Sequence, residues 1–303
     1  IGFPVMLSEL TIGRAAQANA IDSFHKLGYR GFKWVGVTGV AVAFIVTSYY
    51  CHVGGWVLRY VVSYITEAQT VYADPLGYFY GLLGYNAATG ETWFPLTAIL
   101  FAAVFMAVNA FIIIKGVEGG IEKFNKVGMP ALFIILIVLL ARTITLDGAQ
   151  VGFAYMLSCD WSKVGFNTFL SALGQAFFSL SVTGSGMIAY GSYLDRKEDV
   201  IAVSRHTAIF DTIAALVAAL VIIPACFSYD VSVDAGPSLL FITLPSILQD
   251  IPLGQVFAII LYAAMIFAGV SSLQNMFEAV AESLLHRFPK LRRTVALGII
   301  CVI

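Results

Sequence analysis

Apolar runs of about 20 residues, separated by short polar stretches, recur along the whole chain, and a helix needs about that many residues to cross a hydrocarbon layer. This pattern predicts eight segments: an incomplete span over 1 to 13, full spans near 34 to 60, 94 to 115, 127 to 146, 167 to 194, 206 to 228 and 253 to 285, and another beginning near 294. The stretch 67–93 holds Asp74, Pro75, four glycines and no Lys or Arg, which predicts a long aqueous loop. A second polar segment, 229–251, is predicted to carry a short helix over Leu239 to Leu248.

Lys and Arg gather on the cytoplasmic side of membrane proteins. With sides alternating at each span, 14 of the 17 basic residues fall on one side and only Arg59, Arg142 and Lys163 on the other. This split supports the span count and puts the 67–93 and 229–251 loops outside. The composition agrees, with 59% hydrophobic and 12% charged residues, against about 25% charged in soluble domains. A net charge of −1 gives no reason to expect nucleic acid. The four cysteines, Cys51, Cys159, Cys226 and Cys301, lack metal-ligand spacing, and small buried thiols are their expected role. The first and last apolar runs are shorter than a span, so both ends look cut.

Candidate chemistry lies where spans break their own rules. In Gln175-Ala-Phe-Phe-Ser-Leu-Ser-Val-Thr-Gly-Ser-Gly186, small polar residues interrupt an apolar run at its middle. Either the backbone unwinds there, which is tolerated only against protein or a wet cavity, or small residues let helices pack closely. Asp211 lies a few residues inside a span, where a carboxylate marks a functional site by default; a helix-end charge near Arg205 and His206 is the alternative. Glu9 poses the same question, between capping freed amides and an ordinary polar contact. Ala268-Gly-Val-Ser-Ser272 offers hydroxyl and carbonyl oxygens suited to a hard cation, or serines bonded back to their own helix. Tyr49, Tyr50 and His52 fill the bundle or contact a ligand. No His-Glu-x-x-His, Gly-x-Ser-x-Gly or paired mid-span aspartates occur, which argues against an intramembrane enzyme.

In order along the chain, these motifs resemble the neurotransmitter:sodium symporter family, whose bacterial members have the leucine-transporter (LeuT) fold. Phe3-Pro-Val-Met-Leu-Ser-Glu-Leu-Thr-Ile-Gly-Arg14 is similar to family helix two, and Ser48-Tyr-Tyr50 with Gly55-Trp56 to helix three. Lys115 to Lys123 and Met129-Pro130 resemble helices four and five, Gln175 to Tyr193 the unwound helix six, Gly236 to Pro245 the fourth outer loop, and Ala268 to Ser272 the ion-binding part of helix eight. The resemblance implies an all-α integral membrane protein, a LeuT-type inverted-repeat helical bundle truncated at both ends, lying as one domain over 1–303. It also implies that family helix one and helices from ten onward lie outside this chain, which alone is then expected not to transport.

What the resemblance implies for function is a symporter of the plasma (inner) membrane that couples Na⁺ flow to import of a small apolar or aromatic amino acid by alternating access. A membrane sensor binding an amino acid on the same fold is the alternative. Two Na⁺ sites are implied, one using Ser179 and Asp211, the other the Ala268 carbonyl with Ser271 and Ser272. Substrate contacts are implied for Val46, Tyr50, Phe178, Ser179, Ser181, Gly184, Ser272 and Met276, with Glu9 and Gln175 as structural support. Tyr50 would hold the substrate carboxylate and close the lid with Phe178. Where chloride-dependent members have Ser one turn beyond the Asp211 position, this chain has Ala215, so chloride is expected not to be required. Gly184 stands where a bulky residue is usual, which implies an enlarged pocket or a shifted unwinding.

Overall fold

The structure, a computed structural model, describes all residues except 159, 183–184, 196, 229–232, 234–238, 250–251 and 303, and it leaves out the Glu118 side chain. Among the described residues, five helices are long and apolar enough to cross a membrane: Arg30–Thr66, Leu96–Ile114, Gly119–Ile144, Val200–Ser228 and Gly254–Arg287. In chain order the helices are α1 (Gly2–Ala16), α2 (Ala20–Lys26), α3 (Lys33–Thr66), α4 (Ala68–Ala73), α5 (Pro75–Leu82), α6 (Leu96–Ile114), α7 (Glu122–Ile144) and α8 (Ala149–Leu157). They continue with α9 (Phe166–Ser179), α10 (Gly186–Tyr193), α11 (Val200–Ser228), α12 (Leu244–Leu248), α13 (Gly254–Arg287) and α14 (Arg293–Val302). All eight predicted segments are helical, and 167–194 is split between α9 and α10.

Two helices of 34 residues each, α3 and α13, pack along one another as the axis of the molecule. At 1.5 Å per residue each is about 51 Å long, well beyond the roughly 30 Å of a bilayer core. On one side of this axis α6 lies against α3; on the other, α7 lies against α13 and α11 against α7. The outward faces keep large apolar side chains exposed, among them Phe111, Ile134, Ile137, Phe210 and Leu216. In water such a surface would be a liability; in hydrocarbon it is the expected outside.

The shorter helix α1 pairs with α10 through glycines. A Cβ on Gly13 would stand 2.0 Å from the Ile188 carbonyl oxygen, and one on Gly191 2.4 Å from that of Leu10. Only hydrogen at both positions allows this approach, the small-residue packing common between helices in lipid. Met6, Leu10, Leu180, Val182 and Val200 fill the core around the pair.

The 67–93 stretch departs from a plain loop. Asp74 accepts a hydrogen bond from the Gly77 amide (2.8 Å) and Pro75 occupies the first turn, so the polar pair starts α5. The stretch then buries Val71, Phe79 and Leu82 against Tyr60, Tyr64, Phe241 and Tyr262. Over Leu239 to Leu248, where a short helix is predicted, a π-turn (Leu239–Thr243) leads into α12. Two phenols hold this segment down: Tyr60 donates to the Phe241 carbonyl (2.7 Å) and Tyr262 to that of Leu240 (2.5 Å). Two further helices, α2 and α8, were not visible as apolar runs; α8 packs on α11, with Gly152 against Pro224.

Candidate functional site

The described residues on either side of 183–184 show how α9 ends and α10 begins. At the end of α9 the Val182 amide bonds to the Phe177 carbonyl and the Ser181 amide to that of Phe178, both at 3.1 Å. Ser181 itself is left-handed, with φ 52°. This is the bonding pattern of a Schellman cap, with serine where glycine is usual. A second left-handed serine, Ser185 with φ 62°, precedes α10. Non-glycine residues in this region cost of order 1–2 kcal/mol each, and such strain gathers at functional sites. Gly184 lies outside the described residues.

Ending α9 at Ser179 presents its hydroxyl to α11. Ser179 Oγ shares its proton between Asp211 Oδ1 (2.8 Å) and Oδ2 (2.9 Å). The two residues that sequence pairs as a cation site are therefore in contact across the bundle. They border a cavity of about 320 Å³ that α7, α11 and α13 otherwise wall with apolar side chains, and Ala268 lines the same cavity. On α13 the Ser271 hydroxyl donates to the Ala268 carbonyl (2.8 Å). Ser272 is half-buried on the same helix.

On the other face of α9 lies a second cavity, of about 240 Å³, between α3, α9 and α13. Val46, Phe178, Ser181 and Met276, four of the expected substrate contacts, line it together with Val42, Phe177, Val182, Gly186 and Asn275. Phe178 is 52% exposed. Tyr50 is not among the lining residues; it is half-buried against the cluster that includes Ala43, Cys51 and Phe105. Ser179 points to the Asp211 side. Glu9 is buried on α1, and Gln175 is exposed on α9.

Sequence reading missed Asn275. Its Oδ1 is buried without a hydrogen-bond partner among the described residues, and a buried amide oxygen left so would cost roughly 1–3 kcal/mol. It also missed a polar cluster at the end where α13 gives way to α14. Fully buried Glu278 accepts from the Tyr193 hydroxyl (2.9 Å) and pairs with Arg293, whose Nε donates to the Ile113 carbonyl (2.9 Å). One turn on, Glu282 accepts from the Ser192 hydroxyl (3.0 Å). The signal was available: Asn275, Glu278 and Glu282 all interrupt the apolar run of α13, as Asp211 does that of α11.

Residues 83–303 match the sodium:neurotransmitter symporter family. The chain belongs to that family. Among the relatives of this chain, an uncharacterized sodium-dependent transporter (YhdH) of Bacillus subtilis is 33% identical over 285 residues, covering 94% of this chain and 62% of the relative. An uncharacterized sodium-dependent transporter of Haemophilus influenzae is 34% identical over 291 residues, covering 94% of this chain and 63% of the relative. The chain thus spans under two thirds of the length of these curated relatives. Its fold is similar to the crystal structure of MhsT in complex with L-phenylalanine, with TM-score 0.88 and 34% identity over 100% of this chain and 67% of that one. The chain is therefore a multi-pass membrane protein of LeuT-type fold from a transport family, not an enzyme family.

Proposed function

We propose that this protein imports an amino acid with an apolar or aromatic side chain across the plasma (inner) membrane, driven by Na⁺ and by alternating access. The observation that carries this reading is the break in the α9–α10 segment, which turns Ser179 toward Asp211 on one face and opens an apolar cavity on the other. A cation site beside a substrate site, both built on one unwound segment, is an arrangement by which binding of each can favour the other. MhsT, the similar solved structure, is described with L-phenylalanine, which supports the substrate class.

The first Na⁺ is assigned to Ser179 and Asp211, and the second to Ala268, Ser271 and Ser272. At the second site a cation replaces the internal Ser271 to Ala268 bond, so that hydroxyl and carbonyl oxygens both turn to the ion. The Asp211 carboxylate supplies the compensating negative charge, and transport does not need chloride. Each charge moving through 100 mV is worth about 2.3 kcal/mol, so two Na⁺ suffice for a gradient of roughly a thousandfold. Phe178, exposed toward the cavity, closes over the substrate, while the segment 239–248 covers the outer approach.

The test is uptake of labelled phenylalanine by the full-length protein in proteoliposomes, with Na⁺ or K⁺ outside and with chloride or gluconate as anion. Uptake that needs Na⁺, persists in gluconate and disappears in Asp211→Ala is the expected result. Uptake indifferent to Na⁺ refutes the coupling, and uptake that stops in gluconate refutes the role given to Asp211.

A further inference from the structure

The 240 Å³ cavity has apolar walls, with Val42, Val46, Phe178, Val182 and Met276 among them, and yet α13 contributes Asn275 to it. Asn275 is 5% exposed, and its Oδ1 is buried without a partner among the described residues. The carboxamide rests against Gly186 at the start of α10; a Cβ there would lie 2.1 Å from Oδ1 and 2.9 Å from Nδ2. Glycine at 186 thus makes the room in which the amide sits. A leucine or methionine would fill the same wall without burying a polar group, so the amide calls for a partner that the described residues do not supply. An amide carries both a donor and an acceptor and can turn either one toward a ligand.

Ser179 and Asp211 face the other side of α9. The side chains that line this cavity with Asn275, among them Val42, Val46, Phe178 and Met276, are mainly apolar, which suits a substrate side chain better than the charged groups of an amino acid. We infer that Asn275 is a specificity-determining residue that hydrogen-bonds the tip of the substrate's side chain. It favours side chains that are apolar along their length with one polar group at the end, such as the indole of tryptophan or the phenol of tyrosine, over pure hydrocarbon. This rests on the amino-acid reading of the cavity. A site with a buried hydrogen-bonding group discriminates against ligands that cannot complete it, because the group is then left unpaired.

The experiment is Na⁺-dependent competition against labelled phenylalanine by the purified full-length protein. The unlabelled competitors form matched pairs: tyrosine with phenylalanine, and tryptophan with its benzothienyl analogue, in which sulfur replaces the indole N–H. The wild type is expected to prefer the polar member of each pair about tenfold, equivalent to 1.4 kcal/mol, and Asn275→Leu to bring both ratios to about one. Ratios near one in the wild type overturn the inference, and this arm does not depend on the variant folding. Ratios that survive in Asn275→Leu overturn it too, as would be seen if a trapped water were the partner. No Na⁺-dependent phenylalanine binding by the wild type instead sinks the amino-acid reading and this inference with it.

Discussion

Replacing Arg293 by methionine removes a charge while keeping most of the side chain's length, and the structure sets how costly this is. Glu278 is fully buried, and its two oxygens are taken up by Tyr193 and Arg293. Without the guanidinium its carboxylate keeps only the phenol, and a broken buried pair typically costs about 3–5 kcal/mol. The bond from Arg293 Nε to the Ile113 carbonyl is lost as well, adding about 1 kcal/mol. The reverse change is milder. In Glu278→Gln the amide can still bond Tyr193, and the Arg293 side chain, 23% exposed, can turn to water, so a cost of about 1–2 kcal/mol is expected. The double variant Arg293→Met, Glu278→Gln removes both charges and should recover most of the loss. Thermal unfolding in detergent reads the series, with Arg293→Met lower than the wild type by about 5–10 °C. An Arg293→Met midpoint within a degree of the wild type, or a double variant no better than Arg293→Met, would refute the claim that an unpaired buried carboxylate is what hurts.

Gly13→Ala puts a Cβ 2.0 Å from a backbone oxygen that cannot rotate away, so α1 and α10 must separate; a loss of about 1–3 kcal/mol should appear as a lower unfolding midpoint. Ser181→Gly relieves a left-handed residue and should raise that midpoint by the equivalent of about 1 kcal/mol, while Ser181→Val lowers it. Tyr60→Phe and Tyr262→Phe each delete one bond to the 239–243 turn; faster hydrogen exchange over 239–248, with little change in α6, is the expected outcome, and unchanged exchange would mean that aromatic packing alone holds the turn.

The helical spans were legible because each is long, apolar and bounded by charge, and the broken helix because serines and glycines interrupt it at mid-depth. Asp211 was legible for the same reason. The contact between Ser179 and Asp211 came only through resemblance, since nothing in the spacing of α9 and α11 fixes which faces meet. Helices α4 and α5 were hidden because a 27-residue stretch with four glycines and Pro75 reads as loop, while its Phe79 and Leu82 find their partners far along the chain in Phe241 and Tyr262. Tyr50, whose role came from the resemblance, is half-buried beside the cluster that includes Cys51 and Phe105.

One helix carries most of these stations. Along α13, Tyr262 pins the outer turn, Ala268 and Ser271 offer oxygens to a cation, Asn275 and Met276 wall the cavity, and Glu278 locks onto Arg293. Their bearings are phased by a single screw of about 100° per residue. Deleting one residue near Gly269 would leave the outer pin in place and rotate every later station by that angle, uncoupling them all in one step. A one-residue insertion in the turn around Gly90 would disturb only its own surroundings. Tolerance to length change in this protein should therefore be distributed by helix phase rather than by distance from the cavity.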